Sequence, residues 1–184
     1  MKRLFKSKWL IAILALVFIG SAAPAVFTQT THAAGTPNPH VIINVNSNKT
    51  LGVSGWDKQA DGALIIQWNF NWNSIVNDQK WYLEALGDGY YHIRNVESGD
   101  LLEVSESSTS DGANVIQWPD NGGWNQQWKI VPTNQDRGDS SYIINRGSGK
   151  YLDMSGQSTS DGGQAVQWDF NGGANQRWFI PPAS

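Results

Sequence analysis

A carboxylate, an indole and two amides recur along this chain at fixed spacing. Asp153 stands fifteen residues before Trp168. Ten residues further on, Trp178 closes a Gln-x-Trp triplet, Gln176-Arg177-Trp178, with Asn175 just ahead of it. An ionised carboxylate accepts two hydroxyl protons, and a primary amide offers donors and an acceptor. An indole adds a broad apolar face. The chemistry open to such a set is recognition of hydroxyl groups. A second set, Glu103, Trp118, Asn125 and Gln126, has the same order. Its acid is one methylene longer, and Trp124 stands where the other set has Ala174. A third, looser set holds Trp68 and the triplet Gln79-Lys80-Trp81, with Asp78 in place of Asn. Its acid is missing. Matching Leu51-Gly52-Val53-Ser54 to Leu152-Asp153-Met154-Ser155 puts Gly52 there, whereas counting back from Trp68 puts Val53 there.

Catalysis has little to work with. Of the three His, His32 and His40 lie near the start, and His92 has no readable Ser-His-Asp arrangement around it. There is no Cys, which excludes thiol catalysis, iron–sulfur clusters and cysteine-zinc sites. No metal-ligand spacing occurs, and no cofactor is implied. Two carboxylates can serve a glycosidase, but Glu103 and Asp153 hold equivalent places in different repeats, which keeps them apart. The pairs Gly122-Gly123 and Gly172-Gly173 serve tight loops. No helix follows them to make a phosphate site.

The elements that must position these residues are short strands in three copies. Trp68, Trp118 and Trp168 are fifty residues apart, each preceded by Gln (Gln67, Gln117, Gln167). Upstream of each lies an Asp-Gly turn: Asp61-Gly62, Asp111-Gly112 and Asp161-Gly162. Runs of β-rich residues between Gly/Asn/Asp/Ser clusters read as all-β. The expected strands are 40–44, 50–53, 64–68 and 81–85; then 90–95, 101–104, 115–118 and 128–131; then 141–145, 151–154, 165–168 and 178–180. One unit of four strands cannot cover its own apolar face, so three must pack together. Closure into a barrel would also remove exposed edges.

Not all 184 residues belong to that fold. Lys2, Arg3, Lys6 and Lys8 precede an apolar run, Trp9 to Ile19, and small residues follow. This is the order of a secretory signal peptide over 1–34, cleaved after Ala33 or Ala34, with Ala23 or Ala25 as alternatives. The run is shorter than the roughly 20 residues needed to span a bilayer. Residues 35–39 read as a loose lead-in, and 40–184 as one domain with lobes near 40–86, 87–134 and 135–184. Four of the 13 cations lie in the leader, leaving nine against 16 acids, a net of −7. So acidic a surface argues against nucleic acid and, after cleavage, against anionic membranes. The expectation is a secreted monomer.

Three copies of about fifty residues, each ending in Gln-x-Trp, resemble the ricin B-type lectin domain, a β-trefoil with pseudo-three-fold symmetry. The segments QWDFNGGANQRW and QWPDNGGWNQQW are similar to its bacterial carbohydrate-binding form. The resemblance implies a six-stranded barrel capped by three hairpins, with a sugar pocket possible on each lobe. It assigns carbohydrate binding to Asp153, Trp168, Asn175 and Gln176 in the third lobe and to Glu103, Trp118, Asn125 and Gln126 in the second. Trp68, Trp118 and Trp168 would be sugar platforms, while Trp81, Trp128 and Trp178 would be core. Many members carry a Gln two residues before the platform Trp. Here Ile66, Ile116 and Val166 stand there, and strand alternation turns the adjacent Gln to the opposite face. The first lobe is expected to be silent. The expected function is non-enzymatic binding of galactose-, xylose- or arabinose-type sugars or their polysaccharides. The alternative is a protein-interaction trefoil, such as a protease inhibitor or a toxin's targeting subunit.

Overall fold

The computed structural model describes residues 38–136 and 139–183. The leader and most of the lead-in lie outside the described residues. Among those described there is no α-helix, and no helix is long and apolar enough to cross a membrane.

Twelve strands run in chain order: β1 (Ile43–Asn44), β2 (Thr50–Val53), β3 (Ile65–Trp68), β4 (Trp81–Ala85), β5 (Tyr91–Asn95), β6 (Leu101–Val104), β7 (Val115–Trp118), β8 (Trp128–Pro132), β9 (Ser140–Asn145), β10 (Tyr151–Met154), β11 (Ala165–Trp168) and β12 (Trp178–Phe179). The expected strands match these within a few residues. The largest difference is β1, where His40 stands apart, bridging to Trp81 and to Pro182 rather than joining the strand.

The first and last strands of each lobe close a ring. β4 pairs β5, β5 pairs β8, β8 pairs β9, β9 pairs β12 and β12 pairs β1, all antiparallel. Reciprocal backbone hydrogen bonds between His40 and Trp81, at 2.8 and 2.9 Å, complete it. The lead-in is not wholly loose, since Pro39 accepts a hydrogen bond from the Ala183 N–H at 2.7 Å. Three hairpins, β2–β3, β6–β7 and β10–β11, cap the ring and touch through the bridges Leu64–Ile116, Asn114–Val166 and Ile66–Gln164. This is a β-trefoil.

The core follows the three-fold pattern. Ile42, Ile93 and Ile143, then Leu51, Leu102 and Leu152, then Trp81, Trp128 and Trp178 are fully buried sets with one member per lobe. A buried indole N–H needs an acceptor. Trp81, Trp128 and Trp178 donate to the carbonyls of Leu51, Leu102 and Leu152 at 3.3, 2.8 and 3.1 Å.

A second three-fold set joins the lobes. Gln67, Gln117 and Gln167 are fully buried. Gln67 Nε2 donates to the carbonyls of Ser158 and Ser160 in the third lobe. Gln117 Nε2 donates to Lys58 and Ala60 in the first, and Gln167 Nε2 to Ser108 and Ser110 in the second. Their Oε1 atoms accept from Ser47, Ser98 and Ser148. As the alternation requires, these Gln face inward while Trp68, Trp118 and Trp168 face solvent.

Candidate carbohydrate site

Each pocket is formed by one cap hairpin and the loop that leads into the next barrel strand. In the third lobe, Asp153 pairs with Val166 and Tyr151 with Trp168. The period of two therefore puts Asp153 and Trp168 on one face of the hairpin. Asp153 is buried, whereas Trp168 is 44% exposed. The loop Asp169–Gly173 folds back over them and ends in a single 3-10 turn, Ala174–Gln176. The resulting cavity, about 240 Å³, is lined by Asp153, Gly156, Gln157, Trp168, Asn171 and Asn175.

The carboxylate is oriented by the amides of the closing loop, Asn175 and Asn171 nearest, with Gln176 behind them. Asn175 Nδ2 donates to Asp153 Oδ2 at 2.8 Å, and Asn171 Nδ2 to the same oxygen at 3.2 Å. That leaves Oδ1 for an incoming donor. Burial pushes the Asp153 pKa above the ordinary carboxylate value, opposed by the amide hydrogen bonds, that from Asn175 foremost. Asn175 Oδ1 is itself buried without a partner. It packs over Gly173, where an added Cβ would lie only 2.2 Å away.

Gln176 lies behind the pocket. It is fully buried, donates to the Asp169 carbonyl at 2.8 Å and accepts the Asn171 N–H at 2.9 Å. Both ends of its amide brace the loop that carries Asn171. Asn171 and its counterpart Asn121 are site residues that the sequence reading does not single out. The signal for them is the matching Asn-Gly-Gly triplets of the two lobes, 121–123 and 171–173.

The second lobe repeats the plan with changes. Glu103 is buried, and its Oε2 accepts from Gln126 Nε2 at 2.7 Å and from Asn121 Nδ2 at 3.1 Å. Burial raises its pKa as well. Asn125 sits over Gly123 as Asn175 sits over Gly173, but its Nδ2 donates to the Val104 carbonyl at 3.0 Å. A cavity of about 430 Å³ is lined by Glu103, Glu106, Ile116 and Trp118, with Gly62 and Leu64 of the first lobe. Asn125 and Gln126 do not line it. Trp124 faces elsewhere, under the Arg146 guanidinium, which also covers Tyr90.

The first lobe decides between the two registers its acid position allows. Gly52 pairs with Ile66 as Asp153 pairs with Val166, so Gly52 holds the acid's place. Each platform is also footed on its neighbour. The ring edges of Trp168 and Trp118 lie 3.3 and 3.4 Å from where a Cβ would stand on Gly112 and Gly62.

These features agree with known proteins. A family model described as "Ricin-type beta-trefoil lectin domain-like" matches residues 77–142 and 134–184. The designed three-fold symmetric protein ThreeFoil is 40% identical, over 78% of this chain and 97% of its own, with a TM-score of 0.72. A segment of 1,3Gal43A, an exo-β-1,3-galactanase from Clostridium thermocellum, is 39% identical over 81% of this chain, also with a TM-score of 0.72. That match spans only 31% of the galactanase chain. The ricin B-like lectin of Macrolepiota procera, solved with lactose, shares the fold with a TM-score of 0.68 at 21% identity, over 80% of this chain and 97% of its own. No curated protein sequence matches. The chain belongs to the ricin-type β-trefoil lectin domain-like family.

Proposed function

We propose that this protein is a secreted, non-enzymatic carbohydrate-binding module whose primary site is the third-lobe pocket. The observation that carries the reading is that Asp153 and Trp168 lie on one face of the hairpin and line one cavity. A buried carboxylate with one oxygen left for a donor stands beside a half-exposed indole. A sugar ring presents an apolar C–H face and a rim of hydroxyls, which such a pair suits. Asn171 and Asn175 hold the carboxylate and line the pocket with it. Gln176 acts from behind, as a brace. The second lobe is a lesser site, with Glu103 and Trp118 lining its cavity and Asn125 and Gln126 holding its frame.

Galactose-type sugars are the first choice within the galactose, xylose and arabinose group, because the galactanase segment is so similar in sequence. Secretion rests on the leader-like residues 1–34. A single site should bind in about the mM range, near −4 kcal/mol, with avidity on a polymer. The test is a glycan array on wild type, Asp153→Ala and Trp168→Ala, with near-UV spectra to confirm folding. Folded variants that bind as wild type does would remove the pocket assignment. Binding of a protein partner with no glycan bound would favour the protein-interaction alternative.

A further inference from the structure

The third-lobe pocket is not made by the third lobe alone. The first-lobe turn that follows β1 reaches both of its walls. Asn44 is fully buried, and its Nδ2 donates to the Asn175 carbonyl at 2.9 Å. Asn175 is on the closing loop, and its own amide holds Asp153. Two residues on, Asn46 Nδ2 donates to the Gln157 carbonyl at 3.0 Å. Gln157 lines the hairpin wall of the same cavity. Asn44 Oδ1 accepts the Asn46 N–H at 3.1 Å, so the buried side chain fixes the turn from which the exposed one reaches. The hairpin wall needs such a hold. Gly156 and Gln157 stand at φ +60 and +55, the left-handed region that a residue with a Cβ rarely adopts.

The lobes share the first arm of this arrangement and differ in the second. Asn95 and Asn145, also buried, donate to the Asp78 and Asn125 carbonyls of the lobe before them, at 3.0 and 2.9 Å. Where Asn46 stands, however, they are followed by Glu97 and Gly147. A carboxylate cannot donate to a carbonyl, and glycine has no side chain to reach with. Glu106 and Ser107 of the second-lobe hairpin are left-handed too, at φ +56 and +52, but they face Gly147's lobe without that second amide. The cavities follow the same division. The third lobe, with both arms, has about 240 Å³, whereas the second and first have about 430 and 580 Å³.

We propose that Asn44 and Asn46 are positioning residues of the third-lobe site, a two-armed clamp that sets its width and admits a single sugar ring. Asn44 holds the wall whose amide aligns Asp153, and Asn46 holds the wall that carries Gln157. The cavity is smaller than the roughly 300–1,000 Å³ of sites for drug-sized ligands, so the rest of a longer chain lies outside it. The first lobe, with no strand acid of its own, thus completes its neighbour's site. This rests on the carbohydrate-binding reading above.

The Trp168 indole N–H signal in proton–nitrogen NMR tests it, with galactose and β-1,3-linked galactotriose as probes. In wild type the two should bind nearly alike, since one ring enters. Asn46→Gly copies the third-lobe turn, and Asn46→Asp keeps the size but loses the donor. Both should weaken galactose binding roughly two- to tenfold, the worth of one net hydrogen bond, and leave galactotriose the better ligand. Their melting temperatures should stay near wild type, because Asn46 is exposed. Glu97→Gly makes the same change in the second-lobe turn and should leave Trp168 binding as in wild type. Asn44→Asp should weaken both sugars, with the buried Trp178 signal reporting its fold, and the Asn46 variants decide the matter whether or not it folds. If both Asn46 variants bind galactose as wild type does, the clamp is refuted and the pocket reading stands. If wild-type Trp168 responds to neither sugar, both fail for this sugar class.

Discussion

Lys150 Nζ lies 2.7 Å from Asp111 Oδ1, an ion pair that ties the third lobe to the second. Lys49 makes the same link to Asp161, tying the first lobe to the third at 2.7 Å. The symmetric position in the second lobe is Asp100, and it faces Asp61. Burial raises the Asp100 pKa, and the negative charge of Asp61 raises it further. Asp100 Oδ2 is also buried without a partner. One of three equivalent joints therefore repels where the other two attract. Asp100→Lys should restore the set and raise the melting temperature by about 1–3 °C, an effect that shrinks in high salt. A melting temperature that is unchanged or lower, with the fold intact by circular dichroism, would contradict this.

Gly172 and Gly173 are adjacent but needed for different reasons. Gly172 sits at φ +71, where a residue tolerant of the left-handed region can replace it. Gly173 has an ordinary φ of −72. It has no room for a Cβ, because Asn175 Oδ1 and Asn171 Oδ1 would lie 2.2 and 2.8 Å away. Gly172→Asn should cost under about 1 kcal/mol. Gly173→Ala should cost about 1–3 kcal/mol and also weaken glycan binding, since both displaced amides hold Asp153. Chemical denaturation and glycan titration of the two variants separate these effects.

The raised pKa of Asp153 and Glu103 sets opposite pH trends for stability and binding. The folded protein takes up these protons at higher pH than the unfolded chain does. Their contribution therefore favours the fold at low pH and is lost as pH rises through the raised values. Binding needs the ionised acceptor, so affinity should fall as pH drops through the same range. Asp153→Asn should flatten the third-lobe part of both trends. It should be the more stable protein at pH 7 and the weaker binder by about tenfold or more. Unfolding curves and titrations between pH 3 and pH 7 (roughly the carboxylate range) would show it. A wild-type affinity independent of pH would count against Asp153 as the acceptor.

Gln167→Ala removes an amide that serves two carbonyls of another lobe and one hydroxyl of its own. Buried acceptors left unpaired make this costly, about 2–4 kcal/mol. Trp178→Ala should cost about 3–5 kcal/mol. The difference between them is mechanistic, because the first loss is at a joint and the second is in the core. Denaturant midpoints measure both. A Gln167 variant as stable as wild type would mean that water replaces the amide.

Local pattern makes much of this fold legible. The period of two separates inward Gln167 from outward Trp168, and the repeated Gln-x-Trp triplet with the resemblance it carries puts Trp81, Trp128 and Trp178 in the core. What Gln167 bonds is not legible, because its acceptors, Ser108 and Ser110, lie in another lobe. The site is readable where lobes agree and obscure where they diverge. Asp153 and Glu103 stand out as acids on strands, where Asp is disfavoured. That Gln176 also braces the loop, through the Asp169 carbonyl and the Asn171 N–H, is not legible, because only the folded loop brings that backbone to its amide. The first lobe reads as silent because its strand acid is missing, whether Gly52 or Val53 stands in its place. Only the folded loop shows that Asp78 comes to the same space from across the pocket.

The Gln67, Gln117 and Gln167 bonds run in one direction around the molecule, from each lobe into the one before it. Such a head-to-tail interface closes after three units. A single-lobe ancestor carrying these residues would thus have had the means to assemble as a ring of three identical chains. Fusing three copies into one polypeptide makes the ring obligatory and frees each pocket to change alone. The missing strand acid of the first lobe, the longer acid of the second and the repelling joint at Asp100 are divergences that a strictly symmetric trimer would have had to accept three times over.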